Sequence, residues 1–148
     1  MQKIIPIYVF IVLIFLSCQD GKKKIDVEAQ KAKIQLNGLS DKHPNKMQMV
    51  SLLNNYKEEF LECNSDLGSL KKQFLIQKQF SFRTKQSNVL VFLLFCKKQN
   101  DAITIAESNF VNANESTKCG VNGATLFVVK GKDKYEVNNI LSHFAGEE

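Results

Sequence analysis

The sequence is short of the residues that mark linkers and fibrous proteins, because its 148 residues include only two Pro and seven Gly. This scarcity excludes a collagen-like, Pro-rich or linker-rich chain. Hydrophobic residues make up 44% and charged residues 24%, which are ordinary values for globular domains. The length suits one domain, so the composition predicts a single globular unit.

A strong charge of one sign and a long hydrophobic run are also missing. Lys and Arg number 20 against 15 Asp and Glu, and an excess this small does not indicate a nucleic-acid partner. The N-terminal apolar run, Ile4 to Leu16, is thirteen residues long. As a helix it would rise about 20 Å, which is less than the roughly 30 Å of a bilayer core.

What is present around this run is the pattern of a secretory signal that ends at a cysteine. Lys3 precedes the run, Ser17 and Cys18 follow it, and a polar segment begins at Gln19. The run has the length of a signal-peptide core. A small residue and a cysteine directly after such a core resemble the lipobox of bacterial lipoproteins. A plain secretory signal that contains Cys18, or an uncleaved N-terminal anchor, is the alternative.

The resemblance implies a domain organisation and a location. It implies cleavage between Ser17 and Cys18 and acylation of Cys18, which makes residues 1–17 a signal peptide. The mature protein would be fixed to a membrane of the bacterial cell envelope by two or three acyl chains, enough for a lasting anchor.

The residues after Cys18 form a short basic tether, 18–24, ahead of a single domain at 25–148. Lys22, Lys23 and Lys24 would contact lipid headgroups at the membrane surface. Because the tether is basic beyond its one aspartate, we expect the domain to face the periplasm.

Two amphipathic segments predict a pair of helices at the start of the domain. Apolar residues between Ile25 and Leu39 recur every three or four positions, as they do on one helix face. A second stripe of this kind runs from Met49 to Cys63, after a helix-start signal at Asn45. The turn between the two stripes is short, so we expect the helices to pack antiparallel.

After the second stripe the periodicity becomes strand-like. Residues 73–83 alternate between apolar and polar side chains, which predicts a strand with one buried face. Val89 to Cys96 is a continuous apolar run, typical of a central strand that is covered on both faces. Residues 101–112 fit either a helix or a strand, and 112–123 reads as a loop.

A strand at 124–129 and an amphipathic helix end the chain. The helix is indicated by Val137, Ile140, Leu141 and Phe144 on one face, by Asp133 with Glu136 as an N-terminal cap pair, and by Gly146 as the C-terminal stop. The predicted fold class is α+β: an N-terminal helical pair packed on one face of a small, mostly antiparallel sheet, with a C-terminal amphipathic helix.

Three cysteines remain beyond Cys18, and in an oxidising compartment they predict one disulfide and one free thiol. Cys96 ends an apolar strand, so we expect it to be buried. Cys63 and Cys119, at a helix end and in a loop, are the favoured disulfide pair, although the other pairings stay open. No two cysteines have CxxC spacing, so neither a redox motif nor a zinc site is expected.

The sequence contains no pattern that predicts a catalytic centre. His43 lies in a polar turn, and His143 lies off the apolar stripe of the last helix, where we expect it to face solvent or a partner. Glu58, Glu59 and Glu62 read as a solvated helix face without a histidine partner. We therefore expect no catalytic residues, no metal and no cofactor.

These observations favour a lipid-anchored envelope protein that acts by protein–protein contact, as an accessory or structural subunit of a secretion or envelope assembly. An exposed strand such as 73–83 would belong to its interface. The alternative is a periplasmic immunity or inhibitor lipoprotein that binds one toxin or hydrolase. A minor alternative is a small-ligand binder or an enzyme that pairs Cys119 with His143.

Overall fold

The centre of the fold is a five-stranded sheet in which every neighbouring pair of strands is antiparallel. A computed structural model describes residues 33–146. Its strands are β1 (Phe60–Glu62), β2 (Ile76–Thr84), β3 (Leu90–Cys96), β4 (Thr117–Asn122) and β5 (Thr125–Lys130), with a short 3-10 turn at Gln73–Leu75. The strand order across the sheet is β1-β2-β3-β5-β4. The predicted antiparallel sheet is therefore confirmed.

Helices cover the sheet on both faces. They are α1 (Lys46–Asn55), α2 (Gln99–Phe110) and α3 (Lys134–Ala145). Buried residues of α1 and α3, such as Met49 and Phe144, share one apolar cluster with the sheet. Ala102 and Ile105 of α2 belong to a second cluster on the opposite face. The fold is α+β, but the helices do not lie on one face, because the sheet has apolar side chains on both.

β3 shows why both faces need a cover. Its Val91, Leu93 and Phe95 point into the cluster with α1 and α3, and its alternate residues Phe92 and Leu94 point into the cluster with α2. β3 is paired on both sides, with β2 and with β5. The prediction of a central, doubly covered strand at 89–96 is confirmed.

The C-terminal helix is also confirmed, together with its caps. The carboxylate of Asp133 accepts a hydrogen bond from the backbone N–H of Tyr135 at 2.9 Å, as an N-cap should. Gly146 follows the helix with a φ of 78°, a conformation that glycine adopts without steric cost. Val137, Ile140 and Phe144 are buried on the face that was expected.

The predicted N-terminal helical pair is wrong. Residues 33–39, the described part of the first predicted helix, contain no helix. The second helix ends at Asn55, and the apolar residues that follow it enter the sheet: Phe60–Glu62 is strand β1. Phe60 is buried in the strand just as it would have been on a helix, so the apolar spacing did not distinguish the two.

The predicted signal peptide and basic tether lie outside the described residues, and with them Ser17, Cys18, Lys22, Lys23 and Lys24. Contacts divide the chain into Met1–Lys33 and Ile34–Glu148, and every helix and strand named above belongs to the second unit. Within the described range, no helix is both long and apolar enough to span a bilayer.

Candidate functional site: the open edge at β4

β4 forms one edge of the sheet and has a strand partner on one side only, β5, among the residues that the structure describes. The sequence had indicated a loop here, because Thr117–Asn122 has neither an apolar run nor a clear alternation. Pairing with β5, whose Leu126–Val129 core is apolar, holds these residues extended. We refer to the unpaired side of Thr117–Asn122 as the β4 edge.

The register shows which backbone groups the β4 edge presents. The N–H of Gly131 donates to the carbonyl of Ser116 at 2.9 Å, which makes these two residues a hydrogen-bonded pair. Hydrogen-bonded pairs recur at every second residue of an antiparallel ladder. Even-numbered residues of β4 therefore bond to β5, and the backbone groups of Thr117, Cys119 and Val121 point outward.

Most of these outward groups have no hydrogen-bond partner within the described chain. The N–H of Thr117 donates to the carbonyl of Asn114 at 2.9 Å. The carbonyl of Thr117 and both backbone groups of Cys119 and Val121 remain available to a further strand. Such a row of unpaired donors and acceptors is a template for strand addition.

The side chains of β4 are held from both faces. Cys119 and Val121 pack against the cluster beneath α2. On the other face, Lys118 donates to the Asn138 side chain at 2.7 Å, and Asn122 donates to the carbonyl of Phe144 at 3.0 Å, so both contact α3. These contacts fix the position of β4, and a partner strand would meet a preformed edge.

The β4–β5 turn is fixed as well. Gly123 has a φ of 55°, and a Cβ at this position would lie 2.4 Å from the Asn45 side chain. Asn45 is buried, and its Oδ1 accepts the backbone N–H of Ala124 at 2.7 Å. The start of α1 is thereby tied to the hairpin that carries the edge.

The interface strand predicted at 73–83 is open along part of its length. β2 is the second strand of the sheet, and β1 pairs with its Phe82–Thr84 segment. Among the described residues, Ile76–Phe80 therefore has a strand partner, β3, on one side only. Phe82 is buried, while Phe74, at the start of the predicted segment, lies outside the strand and is exposed. Within the described range, the outer side of β4 has no strand partner along its whole length, at the other side of the sheet, in a segment without an apolar signature.

The predicted disulfide between Cys63 and Cys119 is not present, and all three described cysteines are free thiols. Cys63 directly follows β1, and Cys119 lies in β4, at opposite edges of the sheet. Strands are spaced about 4.8 Å apart, so four spacings separate these edges, whereas bridged cysteines need Cα atoms within about 7 Å. The prediction that Cys96 is buried is confirmed.

Burial lowers the expected reactivity of two of these thiols. Burial raises the pKa of Cys96 to about 11, with a smaller effect from the nearby Asp101 carboxylate, and burial also raises the pKa of Cys119. Because the thiolate is the nucleophile, only about one Cys96 in a thousand is reactive at pH 8.

We expect iodoacetamide to label Cys96 at least about 100-fold more slowly in the native protein than in denaturant. Peptide mass spectrometry measures this, and equal rates would contradict the burial.

His43 lies in a turn, as predicted, but His143 is placed differently from the sequence-based expectation. His143 is buried rather than facing solvent, and its Nε2 donates to the carbonyl of Leu52 at 2.8 Å. Its ring packs against Tyr56, with centroids 4.9 Å apart. His143 also lines a cleft of about 270 Å³, together with Ser51, Leu52, Asn55 and Gly146. It thus joins α1 to α3.

Beside this contact, the hydroxyl of Tyr56 is buried in the neighbourhood of the Glu136 carboxylate. Burial raises the pKa of the Tyr56 hydroxyl, and the carboxylates of Glu136 and Glu58 raise it further, so the phenol stays protonated. Lys57 binds Glu136 at 2.9 Å. Cys119 is on the opposite side of the sheet from this group, in the cluster beneath α2, so it is not brought to His143.

The three glutamates predicted as a solvated helix face are not on a helix. Glu58 accepts three hydrogen bonds in the turn between β2 and β3, Glu59 forms an ion pair with Lys85 at 2.8 Å, and Glu62 ends β1. In the part of the chain that the structure describes, no group of three or more His, Cys, Asp or Glu could hold a metal ion.

Comparisons with known proteins add no relative to this description. No protein-family model, no curated protein and no solved structure matches the chain.

Proposed function

We propose that the protein is a lipid-anchored component of the bacterial cell envelope that acts by protein–protein contact, as an accessory or structural subunit of a secretion or envelope assembly. The β4 edge is the observation that supports a role in protein–protein contact. The lipobox-like segment around Cys18 supports the anchor.

The chemistry of the β4 edge suits an extended protein segment. A strand added to β4 would bond to the outward groups of Cys119 and Val121, which supply two donors and two acceptors. Side chains of that segment would lie beside Val121 on one face and Gly120 and Asn122 on the other. Affinity would come from backbone hydrogen bonds, and specificity from these flanking side chains.

Val121→Pro is the sharpest test of this contact. Proline removes the outward N–H and leaves the ladder to β5 in place, because Val121 donates nothing to β5. Val121→Ala retains the N–H and is the matched control. We expect in-cell crosslinking and pull-down of the tagged, full chain to lose its partners at least about tenfold with Val121→Pro and to keep them with Val121→Ala.

Cys18→Ala separates the anchor from the contact. It should abolish incorporation of labelled palmitate and should deplete several stoichiometric envelope partners from the pull-down. One partner retained without the lipid would contradict the assembly role and favour an inhibitor. Partners that are unaffected by Val121→Pro would show that the contact lies elsewhere on the domain.

A further inference from the structure

Lysines from separate segments gather at the end of the sheet where β3 finishes. Cys96, the last residue of β3, pairs with Ile76, the first residue of β2. Residues just after β3 and around the start of β2 therefore lie at the same end of the sheet. Lys97–Lys98 directly follow β3, while Lys72 and Lys78 flank the start of β2, and all four side chains are exposed.

A further lysine reaches this end from the loop before α1. Nε2 of His43 donates to the carbonyl of Cys96 at 3.1 Å, which places the neighbouring, exposed Lys42 beside the end of β3. Phe74, in the 3-10 turn before β2, completes the group. We define the basic end as Lys42, Lys72, Phe74, Lys78, Lys97 and Lys98.

Phe74 is held outward by a defined turn. It is 81% exposed, although Leu75, the next residue, packs into the cluster beneath α2. Lys72 has a φ of 64°, and its carbonyl accepts the N–H of Leu75 at 3.0 Å. Asn109 of α2 bonds both backbone groups of Lys71, at 2.8 and 3.1 Å. The aromatic ring is thus presented to solvent on a rigid support.

The lysines of the basic end form no ion pair with a described carboxylate. The ion pairs of the described range are Lys46–Asp41, Lys57–Glu136, Lys85–Glu59 and Lys134–Glu115. Asp101, in the first turn of α2, is the acidic residue closest in sequence to Lys97–Lys98. The basic end therefore has a net positive charge that the domain does not neutralise.

The opposite end of the sheet is different and provides a control. β5 ends there at Lys130, which pairs with Leu90, and Tyr135 follows in the first turn of α3. Tyr135 is 70% exposed, close to the exposure of Phe74. Lys132, Asp133 and Lys134 precede it, and Glu136 follows it. Lys134 pairs with Glu115 and Glu136 with Lys57, so this end presents an aromatic ring among mixed, partly paired charges.

We propose that the basic end docks on an anionic lipid bilayer, an inference that rests on the proposed anchoring through Cys18. Lysine side chains near an anionic surface gain electrostatic attraction, and an exposed aromatic ring enters the interfacial region. Lys33 is fifteen positions after Cys18 in the sequence, a reach of up to about 50 Å for an extended chain. The anchored domain can therefore turn its basic end to the membrane, which orients the β4 edge relative to the bilayer.

Single-tryptophan fluorescence tests the docking directly, because the chain contains no Trp. Phe74→Trp and the matched control Tyr135→Trp are introduced into the full chain, which is reconstituted on vesicles of phosphatidylcholine alone or with 30% phosphatidylglycerol. Flotation reports the anchor, and quenching by brominated lipid reports the position of each Trp. We expect a blue shift and at least about threefold stronger quenching for Trp at 74 on anionic vesicles only, and no such change for Trp at 135.

A charge variant separates electrostatic docking from simple insertion of the ring. The quenching should return to its value on phosphatidylcholine in a variant that combines Lys72→Gln, Lys78→Gln, Lys97→Gln and Lys98→Gln. Addition of 1 M salt should have the same effect, because the screening length falls to about 3 Å. Equal quenching on both vesicle types would overturn the role of the lysines.

The remaining outcomes distinguish this proposal from the one on which it rests. A chain that floats with both vesicle types but whose Trp at 74 stays unquenched would overturn the docking and leave the anchor intact. A chain that floats with neither would overturn the anchor and the docking together.

Discussion

Phe127→Ala should lower the free energy of unfolding by about 3–5 kcal/mol, the range for deleting a buried aromatic ring. Phe127 lies in β5 and is fully buried. Its ring packs against Phe144 of α3, with centroids 5.7 Å apart, and extends beneath Gly120 of β4. The cavity would therefore open under the strand that carries the β4 edge. Equilibrium urea unfolding measures the loss.

Gly120 and Phe127 are coupled, and a double-mutant cycle should reveal it. A Cβ on Gly120 would lie 2.4 Å from the Phe127 ring, so Gly120→Ala alone should cost about 1–3 kcal/mol through overpacking. In the Phe127→Leu background the smaller side chain leaves room for that methyl group. The cost of Gly120→Ala should then fall by at least about 1 kcal/mol.

Gly68→Ala is a control that adds a methyl group far from this contact. A Cβ at position 68 would meet nothing within 4 Å, although the φ of 80° strains an alanine there. The strain at Gly68 should not depend on residue 127. Additive losses for Gly120→Ala and Phe127→Leu would mean that the ring does not support β4.

The sequence predicted best the elements that carry their own local signals. β3 has an uninterrupted apolar run, and α3 has an apolar stripe between Asp133 and Gly146, both of which cap it. These signals lie within a dozen residues and survive in any tertiary context. The segment at 60–62 has only three residues in the sheet, too few to show a period, so its apolar residues were read as a continuation of α1.

The candidate site was missed for a different physical reason. β4 presents unpaired backbone groups, which every residue has, and its sequence TKCGVN contains no strand run. Its extended conformation depends on pairing with β5 and on the space that Gly120 leaves for Phe127. Whether a strand lies at the edge of a sheet depends on the strand order, and no local sequence pattern predicts that order. Gly123, the first of the two residues in the β4–β5 turn, was the one local sign of a hairpin.

The same reasoning applies to the glutamates before β1, for which the charge pattern alone suggested solvation. Oε2 of Glu58 accepts the backbone N–H of Gln86 at 3.1 Å and the N–H and hydroxyl of Ser87 at 2.9 and 3.2 Å. Glu58 is half-buried, and Asn88 in the same turn has a φ of 55°. The carboxylate thus satisfies a turn that β2 and β3 need for their register.

Glu58→Ala should therefore lower the free energy of unfolding by about 2–3 kcal/mol, because hydrogen bonds to a charged acceptor are lost and two turn amides lose their partner. Glu58→Gln keeps one acceptor oxygen and should cost about half as much. The neighbouring Glu59→Ala removes a largely exposed ion pair with Lys85 and should cost no more than about 1 kcal/mol. Urea unfolding of the three variants, with amide hydrogen exchange at Gln86 and Ser87, compares them. Equal losses of unfolding free energy for Glu58→Ala and Glu59→Ala, with unchanged amide hydrogen exchange at Gln86 and Ser87, would contradict this prediction. They would show that the turn does not depend on the Glu58 carboxylate and that only the charge near β1 matters.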